Sequence, residues 1–313
     1  MEITRREVLH RISTGGVAIA VGGAVSSATL TGIAHAEELA KVSPQAVALL
    51  YDATRCIGCQ TCVVACTKAN GLTPDTRRDP LHQAPTDLNN HTKTIIKLYK
   101  EANGTEFSYV KQQCMHCVDP ACAAACMFGG LKKDAKTGIV AWNGKLCVGC
   151  RYCEIACPYN VPKFRWEGFN PEIVKCEFCK DRLAQGLEPA CTTVCPKKAV
   201  IFGSREALLK EARLRIAASP GKYYEDRVFG EKEGGGTQVL YLSHVPFEKL
   251  GLPKLGDESI PGQYLKWQKR LYSYLVIPIG LYATLVGTIR KNWKGHEHHM
   301  EEEEKTTGLR AQL

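Results

Sequence analysis

All sixteen cysteines of this chain lie between Cys56 and Cys195, and they divide into four quartets with none left over. The first is Cys56, Cys59, Cys62 and Cys66, at x2-x2-x3 spacing; the third, Cys147, Cys150, Cys153 and Cys157, repeats it and is followed by Pro158. The second is Cys114, Cys117, Cys122 and Cys126, at x2-x4-x3. The fourth is Cys176 and Cys179, then eleven residues, then Cys191 and Cys195, followed by Pro196. Sulfur in such patterns either cross-links or binds soft metals. A disulfide closing a CxxC loop gains little, because so short a loop has little closure entropy to remove. Structural zinc draws two CxxC-like pairs from separate knuckles. Three cysteines at x2-x2 followed by x3-Cys-Pro form a different object, the run that wraps a 4Fe-4S cube. Three thiolates come from one tight loop, and the fourth cysteine ligates the other cluster of a pair. The spacing therefore predicts four 4Fe-4S clusters, with a zinc or disulfide scaffold as the competing reading.

That crossing of the fourth cysteine requires the quartets to be partnered. Between the second and third, Leu131 to Val140 holds a Lys136-Thr137-Gly138 turn between two short β-prone runs, a hairpin signal. This is the usual bridge inside a two-cluster bacterial-ferredoxin-like unit, so quartets two and three form an inner unit and one and four an outer unit around it. Val47 to Tyr51 before the first quartet and Ala199 to Phe202 after the fourth both read as strands, and pairing them would close the outer unit. The cluster-binding sets that follow are Cys56, Cys59, Cys62 with Cys195; Cys176, Cys179, Cys191 with Cys66; Cys114, Cys117, Cys122 with Cys157; and Cys147, Cys150, Cys153 with Cys126. Pairing one with two and three with four is the alternative. It needs a 47-residue bridge in one half and leaves the end strands unpaired.

The 313 residues suffice for about two domains. At the N-terminus, Arg5-Arg6 precedes a charge-free run from Ile12 to Ala34, ending in Ala34-His35-Ala36. The pattern resembles a twin-arginine export signal over residues 1–36. Near the other end, Leu271 to Ile289 is nineteen residues without a charge, flanked by Lys266, Lys269 and Arg270 before it and Arg290, Lys291 and Lys294 after it, with Trp267 and Trp293 just outside. Nineteen residues of helix span about 28 Å, close to the roughly 30 Å of a bilayer's hydrocarbon core. A single transmembrane anchor over 263–294 is expected, with a cytoplasmic tail at 295–313. Three basic residues at each end leave the orientation tied, and the export signal breaks the tie by putting the cysteine region on the periplasmic side of the inner membrane. His296, His298 and His299 read as a solvated tail, since the neighbouring glutamates have no ligand spacing.

The net charge is +9, and removing a signal with three basic and two acidic residues leaves +8. Four resting cubes with their thiolates bring about −8, so the basic excess matches the cofactors. No Lys/Arg block with interleaved aromatics argues for nucleic acid. Ser204 to Ser219 reads as a packing helix capped by Ser204, with Leu208, Ala212 and Ile216 on one face. Gly234-Gly235-Gly236 reads as a turn before a strand at Gln238 to Ser243, because no Lys-Ser/Thr follows as in a phosphate loop. From Val245 to Gly262 the chain is Pro- and Gly-rich and reads as a tether leading to the anchor.

Several stretches carry a family resemblance. The order of the quartets, the eleven-residue gap and Cys157-Pro158-Tyr159-Asn160-Val161-Pro162 resemble the four-cluster electron-transfer subunits of the dimethyl sulfoxide reductase and formate dehydrogenase class. Lys111 to Pro120, Thr137 to Val140 and Gly230 to Leu240, together with a signal of its own and a C-terminal anchor, narrow this. They are similar to the periplasmic iron–sulfur subunit of hydrogenase 2-type membrane-bound uptake nickel–iron hydrogenases. Met127 departs from the proline that often follows such a cysteine. The resemblance implies a relay that takes electrons from a hydrogenase small/large subunit heterodimer and passes them to a polytopic membrane subunit that reduces quinone. A formate dehydrogenase is the alternative donor. With every cysteine assigned to a cube, none remains for a hydrogen-activating nickel site, so the chain is not the catalyst. The expected fold is α+β. Signal (1–36) and four-cluster region (37–219) come first, the latter with an outer unit at 45–72 and 170–203, an inner unit at 105–169 and a helix at 204–219. Segment 220–262, for which the resemblance implies a docking role, the anchor and the tail complete the chain.

Overall fold

The computed structural model describes residues 42–73, 87–102, 104, 106–166, 171–267, 270, 271, 274, 278–290 and 293. The expected signal and cytoplasmic tail lie outside the described residues. The chain divides into two compact units, Met1–Pro261 and Gly262–Leu313.

Along the first unit run β1 (Val47–Asp52), α1 (Thr61–Ala69), β2 (Thr94–Lys100), β3 (Phe107–Gln113), α2 (Ala121–Ala124), β4 (Leu131–Lys133), β5 (Val140–Trp142), α3 (Tyr152–Ala156), β6 (Lys163–Arg165), β7 (Glu172–Val174), α4 (Lys180–Ala184), α5 (Ala190–Thr193), β8 (Val200–Ser204), α6 (Arg205–Ala218) and β9 (Val239–Leu242). Mixed helix and strand around short cysteine loops is a ferredoxin-like arrangement. The expected outer pairing forms: β1 runs antiparallel to β8, with Leu49 opposite Phe202 and Tyr51 opposite Val200. The expected inner hairpin is β4–β5, with Leu131 opposite Trp142.

Period-2 alternation gives β1 two different faces. Ala48 and Leu50 point to α6, where Leu208 and Ala212 are buried and Ile216 packs against them. Leu49 and Tyr51 point the other way, into the core that includes Cys62, Cys114 and Cys191. The sheet is thus a wall between a purely structural helix and the cysteine loops. α6 starts as expected, with Ser204 Oγ accepting from the Ala207 N–H at 3.3 Å.

Two findings differ from the sequence reading. The hairpin β2–β3, in register from Thr94–Gln113 to Lys100–Phe107, was not foreseen. The strand expected at Gln238 to Ser243 forms as β9, but the tether expected after it contributes to the first unit's core. Strand β9 pairs in parallel with β1, Leu50 opposite Leu240, and Val245, Phe247, Leu250 and Leu252 are buried beyond it. The irregular spacing of these apolar residues among Pro and Gly hides them from a periodicity test, yet burying them is worth about 1.5–3 kcal/mol each. The residues just before β9 strap the second quartet's loop: Val118 N–H donates to Gly236 O at 2.9 Å, and Gln238 N–H to His116 O at 3.1 Å.

In the second unit, 262–267 and 278–290 are helical, and Ile279, Leu281, Tyr282, Leu285 and Ile289 are exposed. Among the described residues no helix is long and apolar enough to cross a membrane. Residues 268–269, 272–273, 275–277, 291–292 and 294 of the expected anchor lie outside them.

At the end of β1, buried Asp52 accepts from Arg215 Nη1 and Tyr223 Oη, each at 3.2 Å, and from Thr54 Oγ1 at 2.6 Å. This network ties α6 to the sheet. Asp52→Ala leaves a buried guanidinium with only Glu211 beside it, so the denaturant midpoint of the metal-loaded protein is expected to fall, by about 3 kcal/mol of stability. An unchanged midpoint would show that the network adds nothing.

Candidate cluster sites

Each CxxC loop turns by the same backbone device. The residue before its second cysteine takes a positive φ: Gly58 at 70°, His116 at 47°, Gly149 at 73° and Phe178 at 55°. This left-handed step folds the loop so that successive thiols face one point. Two of the four are not glycine, and these two stack edge-to-face, with the His116 and Phe178 rings 4.3 Å apart. His116 is fully buried and its Nδ1 accepts from the Val140 N–H at 3.0 Å. Burial, with Lys175 nearby, holds its pKa well below the usual histidine range, so the ring is neutral.

A second device follows the last cysteine of three quartets. Gly129, Asn160 and Lys198, three residues on, also have positive φ. The next amide then returns to sulfur: Gly130 N–H donates to Cys126 Sγ at 3.1 Å and Ala199 N–H to Cys195 Sγ at 3.2 Å. Met127 stands where Pro158 and Pro196 stand in the other loops, and the turn forms without proline. Hydrogen bonds to sulfur favour negative charge there.

The four predicted sets each come together. Cys56, Cys59, Cys62 and Cys195 line one cleft with about 370 Å³ of empty space, part of it open to solvent. Cys126, Cys147, Cys150 and Cys153 line another, of about 310 Å³. Cys66 faces Cys176, Cys191 and Cys179, and Cys117 faces Cys114, Cys122 and Cys157. The pairing of quartet one with two is not what the fold brings together. Among the described residues no three His, Cys, Asp or Glu side chains converge on a point fit for one metal ion. A cube holds its four thiolates apart by its own width, and four thiols set around a cleft of about 310–370 Å³ suit it. The donor sets fit the cube.

The sets also form a single file. Residues four apart on one turn serve neighbouring sets: Cys62 and Cys66 in α1, and Cys122 and Cys126 around α2. Between the other two neighbours, the loops that carry Cys114 and Cys176 meet where the His116 and Phe178 rings stack 4.3 Å apart. The Cys56 set is therefore first, the Cys66 set second, the Cys114 set third and the Cys147 set fourth. At the two ends of the file Cys59 and Cys150 are exposed.

Burial pushes most of these thiols up, Cys114 to about 11 and Cys153 and Cys191 to about 12. Cys59 is the exception, held below the usual thiol value by hydrogen bonds from Thr61, whose hydroxyl lies 3.2 Å from its sulfur. The interior thus favours thiols over bare thiolates, and iron must displace the protons on binding. Two lysines missed by the sequence reading lie among them, Lys111 and Lys175, at 0% and 1% exposure. Burial alone would lower Lys111, but Cys191, Cys62, Cys176 and Cys66 together hold it above the ordinary lysine value.

A family model for the 4Fe-4S dicluster domain matches residues 105–205. Hydrogenase-2 operon protein HybA of Escherichia coli O157:H7 is 39% identical over 310 residues, covering 88% of this chain and 94% of its own length. The nitrate-inducible formate dehydrogenase iron–sulfur subunit of Escherichia coli K12 is 35% identical over 250 residues, covering 78% of this chain and 83% of its own. The formate dehydrogenase iron–sulfur subunit of Haemophilus influenzae is 32% identical over 281 residues, covering 84% and 88%.

A Cβ on Gly149 would lie 2.7 Å from both Pro171 Cγ and Trp166 Cη2, on a backbone that disfavours any side chain. Gly149→Ala is expected to lower the bound iron. Gly186→Ala, where a Cβ meets nothing within 4 Å, is expected to leave iron unchanged. Equal iron in both variants would contradict the site.

Proposed function

The chain belongs to the family of iron–sulfur electron-transfer subunits that includes HybA and the formate dehydrogenase iron–sulfur subunits, and from that premise we propose the path its electrons take. It carries 4Fe-4S clusters and serves as a relay, not as the catalytic subunit of its oxidoreductase complex. The reading is four clusters in single file, taking electrons from a hydrogenase heterodimer on the periplasmic side and delivering them to a membrane subunit that reduces quinone. The observation that carries it is the succession of links from each thiol set to the next, through α1, the His116–Phe178 stack and α2, with an exposed cysteine in the first and last sets.

When bound, the clusters supply one-electron acceptance and donation. The chain's own residues do the rest. Cys56, Cys59, Cys62 and Cys195 would hold the first cluster, and Cys176, Cys179, Cys191 and Cys66 the second. The third falls to Cys114, Cys117, Cys122 and Cys157, and the fourth to Cys147, Cys150, Cys153 and Cys126. Tyr51 and Tyr241, nearly or wholly buried, keep water from the outer pair, while the Gly130 and Ala199 amides bond sulfur directly.

An export signal at 1–36 and an anchor at 263–294 complete the proposal. Exposed Leu281, Tyr282, Leu285 and Ile289 on a helical stretch support the anchor, because such a face is stable in lipid and a liability in water. Relatives from formate dehydrogenases keep a second donor in view.

Membranes lacking this chain decide between them. Hydrogen-driven quinone reduction is expected to be lost while hydrogen oxidation with an artificial dye persists. Loss of formate-driven reduction instead would assign the chain to the other donor, and unimpaired reduction with both would contradict the relay.

A further inference from the structure

Lys111 and Lys175 are buried lysines whose hydrogen-bond partners carry no formal charge. Lys111 Nζ donates to Thr94 Oγ1 at 2.7 Å and to Gln113 Oε1. Lys175 Nζ donates to Val140 O and, at 3.2 Å, to Cys176 O. A buried ammonium with only neutral partners costs several kcal/mol, and an apolar side chain of the same volume would serve packing better. What faces Lys111 is sulfur; Lys175 faces sulfur as well, and also the Glu177 carboxylate, which it helps hold below the usual glutamate value. Lys111 lines the first cleft together with Cys56, Cys59, Cys62 and Cys195, and on its other side acts on Cys66, Cys176 and Cys191 of the second set. Lys175 precedes Cys176 of the second set in the chain and acts on Cys114, Cys122 and Cys157 of the third. The lysines therefore occupy the first two junctions of the file. Among the described residues, no buried lysine stands at the junction of the third and fourth sets.

We propose that Lys111 and Lys175 set the reduction potentials of the clusters on either side of them, Lys111 those of the first and second sites and Lys175 those of the second and third. An electron arriving at a site adds one negative charge to a poorly solvated interior. A fixed ammonium beside it stabilises the reduced form and so raises the potential; no bond forms or breaks, and no proton moves. Each lysine also lies between two negative groups, which lessens the penalty that reducing one imposes on the other. The second site, flanked by both, gains most, and the fourth gains neither. The inference rests on the cluster-bearing relay reading, and iron-free protein would defeat that reading, not this one alone.

The test is an anaerobic redox titration of the full-length, iron-loaded protein followed by electron paramagnetic resonance, with iron content measured in parallel. Lys111→Met and Lys175→Met are each expected to lower two midpoint potentials, one of them common to both variants, and to leave a fourth unmoved. Lys111→Arg and Lys175→Arg are expected to restore values near the parent's. Should the Met variants lose iron while the Arg variants keep it, a requirement for charge at these positions is supported. Iron-loaded Met variants with unmoved potentials, an equal shift at all four sites, or iron loss in Met and Arg variants alike would overturn the proposal.

Discussion

Sulfur that binds iron in a protein interior carries charge which water cannot solvate, so its surroundings must supply the stabilisation. The first unit is arranged around that requirement. Positive-φ residues at Gly58, His116, Gly149 and Phe178 curl each loop, and amides such as those of Gly130 and Ala199 return to sulfur. Lys111 supplies a full positive charge where two sets meet. The sheet contributes rigidity: β1 buries Leu50 against α6 and Tyr51 against the cysteine loops, so the helix stiffens a wall on which the loops rest. Tyr241, from the same sheet, donates to the backbone carbonyl of Lys111 and fixes the strand that carries the cation.

Much of this was legible before any coordinates, because cysteine spacing is a short-range signal. Three thiols within seven residues must converge locally, and a fourth one turn further on must reach elsewhere. That logic pairs the quartets in the sequence, and the β-prone runs at 47–51 and 199–202 do pair as β1 and β8. What escaped depends on long-range packing. Lys111 sits in a polar Lys-Gln-Gln run that reads as solvent-facing, and only its partnership with Thr94 across the β2–β3 hairpin encloses it. Lys175 next to Cys176 looks like any surface lysine beside a loop. His116 in its CxxC gave no hint that a histidine would occupy a turn glycine fills elsewhere, yet stacking on Phe178 and a bond from Val140 hold it there. Gly234 to Ser243 reads as a turn and a strand, with nothing in the sequence to say what that strand meets. Its bonds to Met115 and His116 make it the brace that joins the outer sheet to the inner unit.

The basic composition acquires a physical role from this arrangement. Part of the +9 is spent inside, against sulfur, and is unavailable for any external partner. Apolar residues stand exposed beside both ends of the file, Ile57 and Val64 near the first set and Val148, Tyr152 and Ile155 near the fourth. A relay needs its terminal carriers close to other redox centres, and on the proposed reading these ends are where donor and acceptor subunits meet the chain.

The claim on which all this turns is that four iron-bearing groups lie in one row, each inside a set of four thiols drawn from two quartets. Anomalous diffraction at the iron edge from anaerobically grown crystals tests it directly. The account predicts four strong peaks, centred among Cys56/Cys59/Cys62/Cys195, Cys66/Cys176/Cys179/Cys191, Cys114/Cys117/Cys122/Cys157 and Cys126/Cys147/Cys150/Cys153. Peaks centred within single quartets, or a signal at the zinc edge in their place, would contradict it.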